Sequence, residues 1–295
     1  MIRTRFAPSP TGRLHLGHVL AARVAWGIAK KTGGEFLLRH EDIDGERVRE
    51  EYYAGIEGDL RWLGLEWDGG AMRQTTRRDV YDAALEELKE RKLVYPCFCT
   101  RREIREELAR MGEAPHGPAA AIYPGICRNL TEEERAEKLA AGLSPAWRLD
   151  AASAVEVTGP LIFRDLRLGT MEVNAALAGD VVLARKDIGT AYHLAVTVDD
   201  ADQRITLVTR GEDLLEATHV HRLLQRLLDL PEPCYLHHAL ICDAAGERLA
   251  KRSDAESIST LRDQGVTPAQ VLAMTDTAYL ESLAWLRNPN RHVNW

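Results

Sequence analysis

His15 and His18 stand either side of Gly17 in the stretch "RFAPSPTGRLHLGHVLAARVAW", where a loop with two prolines and two glycines runs straight into an apolar helix. Gly17 lets a ligand approach the backbone, and the first turn of a helix offers unpaired amides and a positive dipole end to an anion. Two imidazoles there can donate hydrogen bonds to phosphate oxygens as negative charge develops on them. That is the chemistry of a nucleotide phosphate site; the plainer alternative is a helix entry with two exposed histidines. A second group is Cys97, Cys99 and Cys127, three thiols around a loop rich in Pro and Gly. Three thiolates fit a tetrahedral structural zinc that lacks one ligand, with His116 the orthodox fourth donor. Buried reduced thiols without metal are the alternative.

The elements that must hold these groups can be read from periodicity and punctuation. "MIRTRFAPSP" is a short strand that Pro8 and Pro10 end, "HVLAARVAWGIAKKTGG" has helical apolar spacing closed by Gly33 and Gly34, and "EFLLRHEDID" is the next strand. Strand, loop, helix and strand in that order form the βαβ unit of a parallel α/β sheet. "YDAALEELKERKL" is another amphipathic helix and leads to "VYPCFCT". The pattern then changes. Thr100 with Glu103, and Thr131 with Glu134, are capping-box pairs that start two short helices, with Gly112 and Gly142 near their expected stops. Between them "GEAPHGPAAAIYPGIC" is loop, too poor in apolar periodicity to pack without a staple. After Asp150, "GPLIFRDL", "DVVLARKD" and "RITLVTRG" read as strands alternating with the helices "AYHLAVTVDDAD" and "DLLEATHVHRLLQRLLDL", so the α/β sheet resumes. "CYLHHALICDAAGERLAKRSDAESI" carries strands into a loop, and "TPAQVLAMTDTAYLESLAWL" is a helical tail.

A chain of 295 residues with 45% hydrophobic residues can bury one large core and a smaller insertion. No apolar run reaches the roughly 20 residues that cross a bilayer, and the amino terminus has no signal-peptide pattern, so a cytoplasmic protein without membrane contact is expected. Five cysteines are an odd number, against a disulfide framework. Cys234 and Cys242 read as core. The formal net charge of -7 excludes nonspecific wrapping of nucleic acid, so an RNA partner must rest on particular residues.

"RFAPSPTGRLHLGH" resembles the first signature of class I glutamyl-tRNA synthetases, with HLGH in place of HIGH. "LLRHEDID", "YHLAVTVDDAD" and "LVTRGEDLLEAT" follow in the family's order, and "RLAKR" stands where the family has its KMSKS loop. The resemblance runs to about Ser257. It implies a Rossmann-like parallel-sheet catalytic domain over 1–96 and 151–257, a zinc-stapled insertion over 97–150, and a short helical C-terminal tail over 258–295 with no anticodon-binding domain. It implies that Arg5, Phe6, Ala7, Pro8, Ser9, Glu41, Tyr192 and Arg210 bind glutamate, with Arg5 the natural partner of a carboxylate and Glu41 suited to the ammonium. It places ATP on His15, Gly17, His18 and Lys251, the last three side-chain donors His15, His18 and Lys251 being catalytic, and Mg²⁺ accompanies the ATP. "RLAKR" departs from KMSKS at most positions, which leaves the roles of Arg248 and Arg252 open. For one structural Zn²⁺ the resemblance points to Tyr123 as fourth ligand, because "YPGIC" matches a YxxxC pattern.

Full-length members continue into a large anticodon-binding region, whereas 43 residues follow Arg252 here. A truncated paralogue within this family attaches activated glutamate to the queuosine base of the tRNA(Asp) anticodon, and that is the expected activity. ATP, L-glutamate and queuosine-bearing tRNA(Asp) are the expected partners of a monomer. The alternatives are a catalytic fragment of an ordinary glutamyl- or glutaminyl-tRNA synthetase, a silent tRNA-binding module, and a different HxGH nucleotidylyltransferase.

Overall fold

Pro8 and Pro10 lie just beyond β1 (Arg3–Phe6), and the chain turns from there into α1 (Leu16–Thr32). This computed structural model describes residues 1–110, 122–177, 179–241 and 257–287. The imidazole of His15 caps the amino end of α1, and Gly33 closes it with φ 64, the left-handed conformation that a glycine adopts without cost. β2 (Glu35–His40) returns parallel to β1, as the βαβ pattern requires. α2 (Glu50–Trp62) follows and buries Tyr53, Ile56 and Leu60. β3 (Met72–Arg73) then adds to the far side of β2, and α3 (Arg78–Glu90) leads into β4 (Val94–Cys97).

Both short helices of the cysteine segment begin where the capping boxes place them, α4 (Arg101–Arg110) after Thr100 and α5 (Glu132–Ala140) after Thr131. The Thr100 N–H donates to the Glu103 carboxylate at 2.6 Å and the Glu103 N–H to the Thr100 hydroxyl at 3.2 Å. Beyond them come β5 (Ala146–Leu149), α6 (Ala151–Thr158), β6 (Ile162–Asp165) and β7 (Gly169–Glu172). β8 (Val182–Arg185) and β9 (Gly189–Thr190) precede α7 (Tyr192–Asp202), β10 (Leu207–Gly211), α8 (Leu215–Leu227) and β11 (Cys234–His238). The tail is α9 (Ile258–Asp263), α10 (Pro268–Ala273) and α11 (Asp276–Ser282). Among the described residues, no helix is long and apolar enough to cross a membrane.

The strands pair as β1-β2-β3, as β10-β11-β6-β7, and as β4-β5-β8-β9. The first set is parallel, and in the second β10, β11 and β6 are parallel with β7 an antiparallel edge. These two sets meet at β1 and β10, where the Thr206 N–H donates to the Arg3 carbonyl at 3.0 Å and the Arg3 N–H to the Thr206 hydroxyl at 2.9 Å. One layer therefore runs β3, β2, β1, β10, β11, β6, β7, with the order reversing direction between β1 and β10. In an open α/β layer that reversal leaves a crevice at the carboxyl ends of the strands, where ligands bind. The third set is antiparallel throughout. "DVVLARKD" thus joins β4 and β5 rather than the parallel layer, because Leu183 and Ala184 are buried against Leu85, Leu149 and Leu194 in a cluster of their own.

Candidate active site

The carboxyl ends of β1, β2, β10 and β11 bring the predicted residues to the crevice. Arg5 is buried on β1, and its own chain supplies its carboxylate: Nε and Nη2 meet Asp200 at 2.8 and 3.3 Å, while Nη1 donates to the Thr209 carbonyl at 3.2 Å. Asp200 is shared with Arg39, whose Nη1 lies 2.7 Å from it and whose Nη2 lies 3.3 Å from Glu41. Burial works against the Asp200 charge, but the two guanidinium groups hold its pKa below the usual carboxylate range. Glu41 is half-buried just past β2, and burial pushes its pKa up against the pull of Arg39 and Arg5. Tyr192, at the start of α7, lies within electrostatic reach of Arg210, Glu41 and Arg5, so four of the five predicted polar side chains, all but Ser9, converge. Phe6 and Pro8 are buried, Ala7 is half-buried and Ser9 is exposed; the Pro8 carbonyl accepts the Glu41 N–H at 3.0 Å.

Arg210 differs from Arg5 and Arg39. It is 5% exposed at the end of β10, and every acceptor it meets is neutral: His237 Nε2 at 3.2 Å, His221 Nδ1 at 3.1 Å, and the Thr218 hydroxyl. Among the described residues no carboxylate comes within ion-pair distance of it. A buried cation with no counter-ion is costly unless an anion arrives. Of the two candidate arginines, Arg210 rather than Arg5 is the one left without a protein anion.

At the amino end of α1, His15 Nδ1 accepts the Gly17 N–H at 3.1 Å and His18 Nδ1 accepts the His15 N–H at 3.3 Å, with the rings 3.8 Å apart. An Nδ1 that accepts leaves the imidazole proton on Nε2, so each neutral ring keeps one donor for a ligand. Burial lowers the pKa of both, that of His18 to about 3 with His15 adding to the effect. Gly17 also makes room for this arrangement, since a Cβ there would lie 3.0 Å from His15 Cε1. Ser257 pairs across from His15, and the Ile258 N–H donates to the Leu14 carbonyl at 2.8 Å, which brings the start of the tail against the histidine loop. Lys251, Arg248 and Arg252 lie outside the described residues, as do His116 and Cys242.

The cysteine segment closes on itself as a second centre. Cys97, Cys99 and Cys127 bring their sulfurs within 4.8 Å of one another, and the Tyr123 hydroxyl is 3.4 Å from both Cys97 and Cys99. Ligand distances of about 2.3 Å to sulfur and 2.0 Å to oxygen put tetrahedral neighbours roughly 3.5–3.8 Å apart, so the donor set fits a zinc-sized ion. The Cys127 N–H donates to the Tyr123 oxygen at 2.9 Å, and the Phe98 N–H to Cys127 at 3.4 Å. The Arg148 guanidinium lies 3.8 Å over the Tyr123 ring. A hydrogen bond from Cys127 and the nearby Arg148 draw the Cys97 pKa down despite burial. A separate cavity of about 180 Å³ between α2 and α9, lined by Arg13, Asp59 and Arg262 among others, contains none of these residues.

Residues 1–280 match the family of tRNA synthetases class I (E and Q), catalytic domain. The chain belongs to that family. It is 48% identical to a glutamyl-Q tRNA(Asp) synthetase of Rhodobacter capsulatus over 274 residues, covering 91% of this chain and 97% of that protein. A glutamyl-Q tRNA(Asp) synthetase of Nitratidesulfovibrio vulgaris is 44% identical over 96% of this chain and 86% of its own length. The crystal structure of a glutamate-tRNA synthetase from Elizabethkingia anophelis superposes with a TM-score of 0.74 at 31% identity, covering 85% of this chain and 52% of that one. The class I catalytic fold and a ligase activity follow from membership. Sequence reasoning missed Asp200, Arg39, His221 and His237 of this class I site. "VDD" and "HH" were visible, but nothing in their spacing tells which arginine each would face.

Proposed function

We propose that this protein activates L-glutamate with ATP, without tRNA, and passes the glutamyl group to the queuosine base in the anticodon of tRNA(Asp). The observation that carries the amino-acid half is the buried Arg210, which has no ion-pair partner among the described residues, with Tyr192 within electrostatic reach of it and of Glu41 at the strand reversal. The acceptor half is supported by likeness to a glutamyl-Q tRNA(Asp) synthetase along 97% of that protein's length. In the first step a glutamate carboxylate oxygen bonds to the α-phosphorus of ATP and pyrophosphate leaves. In the second a queuosine hydroxyl bonds to the acyl carbon, AMP leaves, and the hydroxyl proton is released. No covalent enzyme intermediate is needed, so catalysis is positioning and charge stabilisation.

Arg210 takes a substrate carboxylate, Tyr192 and the loop Phe6, Ala7, Pro8 and Ser9 line the pocket, and Arg5 holds its floor through Asp200. Glu41 receives the ammonium, which restores a charge that burial disfavours. The Nε2–H groups of His15 and His18, the backbone at Gly17 and the Lys251 ammonium hold the phosphates. Mg²⁺ bound with ATP supplies further charge neutralisation. Zn²⁺ held by Cys97, Cys99, Tyr123 and Cys127 staples the 97–150 insertion into the 1–96 and 151–257 catalytic unit, with 258–295 as its tail, in a cytoplasmic enzyme.

Labelled glutamate, ATP and enzyme are incubated with tRNA(Asp) containing or lacking queuosine, with the 3' end intact or blocked by removal of its terminal adenosine. Label that needs queuosine and survives 3' blocking is expected. Label abolished by 3' blocking would instead identify an ordinary glutamate-tRNA ligase.

A further inference from the structure

The partners of Arg210 form a directed chain of histidines that neither glutamate activation nor the sequence motifs account for. Arginine has no acceptor, so each nitrogen facing it must present a lone pair. His237 Nε2 accepts, which puts the His237 proton on Nδ1, 2.7 Å from Asp165 Oδ2. His221 Nδ1 accepts, which puts its proton on Nε2, 3.1 Å from His193 Nδ1. His193 in turn must carry its proton on Nε2. Asp165 is the carboxylate behind His237, and it is already spent. Besides the imidazole it accepts the backbone N–H groups of Arg167 and Leu168 at 2.8 Å and of His237 at 2.9 Å. A full imidazole ring thus separates Arg210 from that charge.

We propose that His221 is a positioning residue for glutamate recognition: its neutral ring, oriented by His193, fixes the Arg210 guanidinium while denying it a counter-ion, so that the substrate's carboxylate is the anion that completes the site. The inference rests on the reading of Arg210 as a glutamate ligand. Three of the five guanidinium N–H groups are used on His237, His221 and Thr218. The other two, one on each terminal nitrogen, have no acceptor among the described residues. Two terminal N–H groups suit a carboxylate better than an amide, which offers one oxygen and a clashing NH₂. Arg5 on β1 and Arg39 on β2, in the same layer, show the contrast: Asp200 pairs with both and Glu41 with Arg39, so neither is short of an anion. Burial and the Arg210 charge keep His221 neutral far below ordinary pH, and His193 is lowered to about 4 by the same causes.

The test compares His221→Asn with His221→Asp, which differ by one amide for one carboxylate at the same place. In glutamate-dependent pyrophosphate exchange, the asparagine oxygen can replace Nδ1 and the KM for glutamate should rise less than about 5-fold, the scale of one imperfect hydrogen bond. The aspartate supplies the missing counter-ion and should raise it by about 100-fold or more, with the KM for ATP unchanged. Equal effects of the two variants, or an aspartate variant with an unaltered glutamate KM, overturn the proposal. If the aspartate variant does not fold, His193→Leu decides: it removes the acceptor that orients His221, so the glutamate KM should rise about 3- to 10-fold with the ATP KM fixed, and no rise overturns the proposal. Arg210→Gln separates the underlying reading, because a glutamate KM indifferent to that change refutes the Arg210 pocket itself.

Discussion

His15 and His18 act as neutral groups, and their neutrality is a product of the helix they begin. Each spends Nδ1 on a backbone N–H, the pair forming a capping box written with imidazoles in place of the usual hydroxyl and carboxylate. His18 has its pKa lowered from 6.5 to about 3, chiefly by burial and then by His15. A histidine whose folded pKa lies below its unfolded one binds more protons when unfolded. Its contribution to stability is therefore whole above pH 6.5 and is lost as pH falls from there toward 3. The slope from one such group approaches about 1.4 kcal/mol per pH unit within that window. His18→Gln should flatten the fall in urea-unfolding free energy between pH 7 and 5 by an amount on the order of 1 kcal/mol. An unchanged slope would mean that His18 is already solvated and titrates normally. The residue types of this site were legible, since histidine, glycine and the motif order sufficed to single them out. The partner of each arginine was not legible, because pairing depends on side chains some 195 positions apart, as in Arg5 with Asp200.

At the scale of elements, local signals served well where the stabilising contacts are themselves local. The Thr131–Glu134 box begins α5 as it was expected to, and Gly142 takes φ 78 beyond its end. α2 and α6 went unread. α2 had the apolar spacing at Tyr53, Ile56 and Leu60. α6 is capped by Asp150, which accepts the Ser153 N–H at 3.1 Å, yet its Val155 and Val157 are exposed and give no amphipathic stripe. α5 buries none of its residues, so apolar burial in the cysteine segment is confined to Leu108 and a small cluster around Tyr95, Cys97, Tyr123 and Cys127. We expect the rest of its stability to come from a metal on the three thiols with Tyr123 beside them, and from the pairing of Val94–Cys97 with Ala146–Leu149. Elemental analysis of protein purified without added metal should therefore give about one zinc per chain. Cys127→Ser should lose the metal and open the segment to protease. Tyr123→Phe should weaken retention under a chelator; full retention would leave a three-thiolate site whose fourth ligand is another donor. A stoichiometry near zero with the segment still protected would favour buried thiols.

For the whole molecule, the join between β1 and β10 decides the architecture, and it is the feature that periodicity could not disclose. Two strands about 200 residues apart in sequence meet where the Thr206 N–H donates to the Arg3 carbonyl and the Arg3 N–H to the Thr206 hydroxyl, and that contact sets where the crevice opens. The tail returns to the same place. Ser257 pairs with His15 at the amino end of α1, and Tyr279 and Leu283 of the tail cluster with Leu20, Val24 and Ile28, so residues after 256 hold that helix at its start and along its middle. The fit is close. Tyr279 lies over Gly27 and Arg23, with the Arg23 guanidinium 4.0 Å from its ring centre and 2.7 Å from Asp276. A Cβ at Gly27 would collide with the Tyr279 hydroxyl and lie 2.9 Å from its Cε2. Overpacking of a buried contact typically costs about 1–3 kcal/mol, so Gly27→Ala should lower the unfolding free energy by that amount. Tyr279→Leu should also destabilise, through lost aromatic burial and the lost stack on Arg23. Because both changes act at one contact, the double variant should be less destabilised than the sum by roughly 1 kcal/mol, the added methyl occupying space that the ring has left. Urea unfolding of the four proteins measures this. Strict additivity would show that Tyr279 does not rest on Gly27 in solution, and the tail would then hold α1 through its other contacts only.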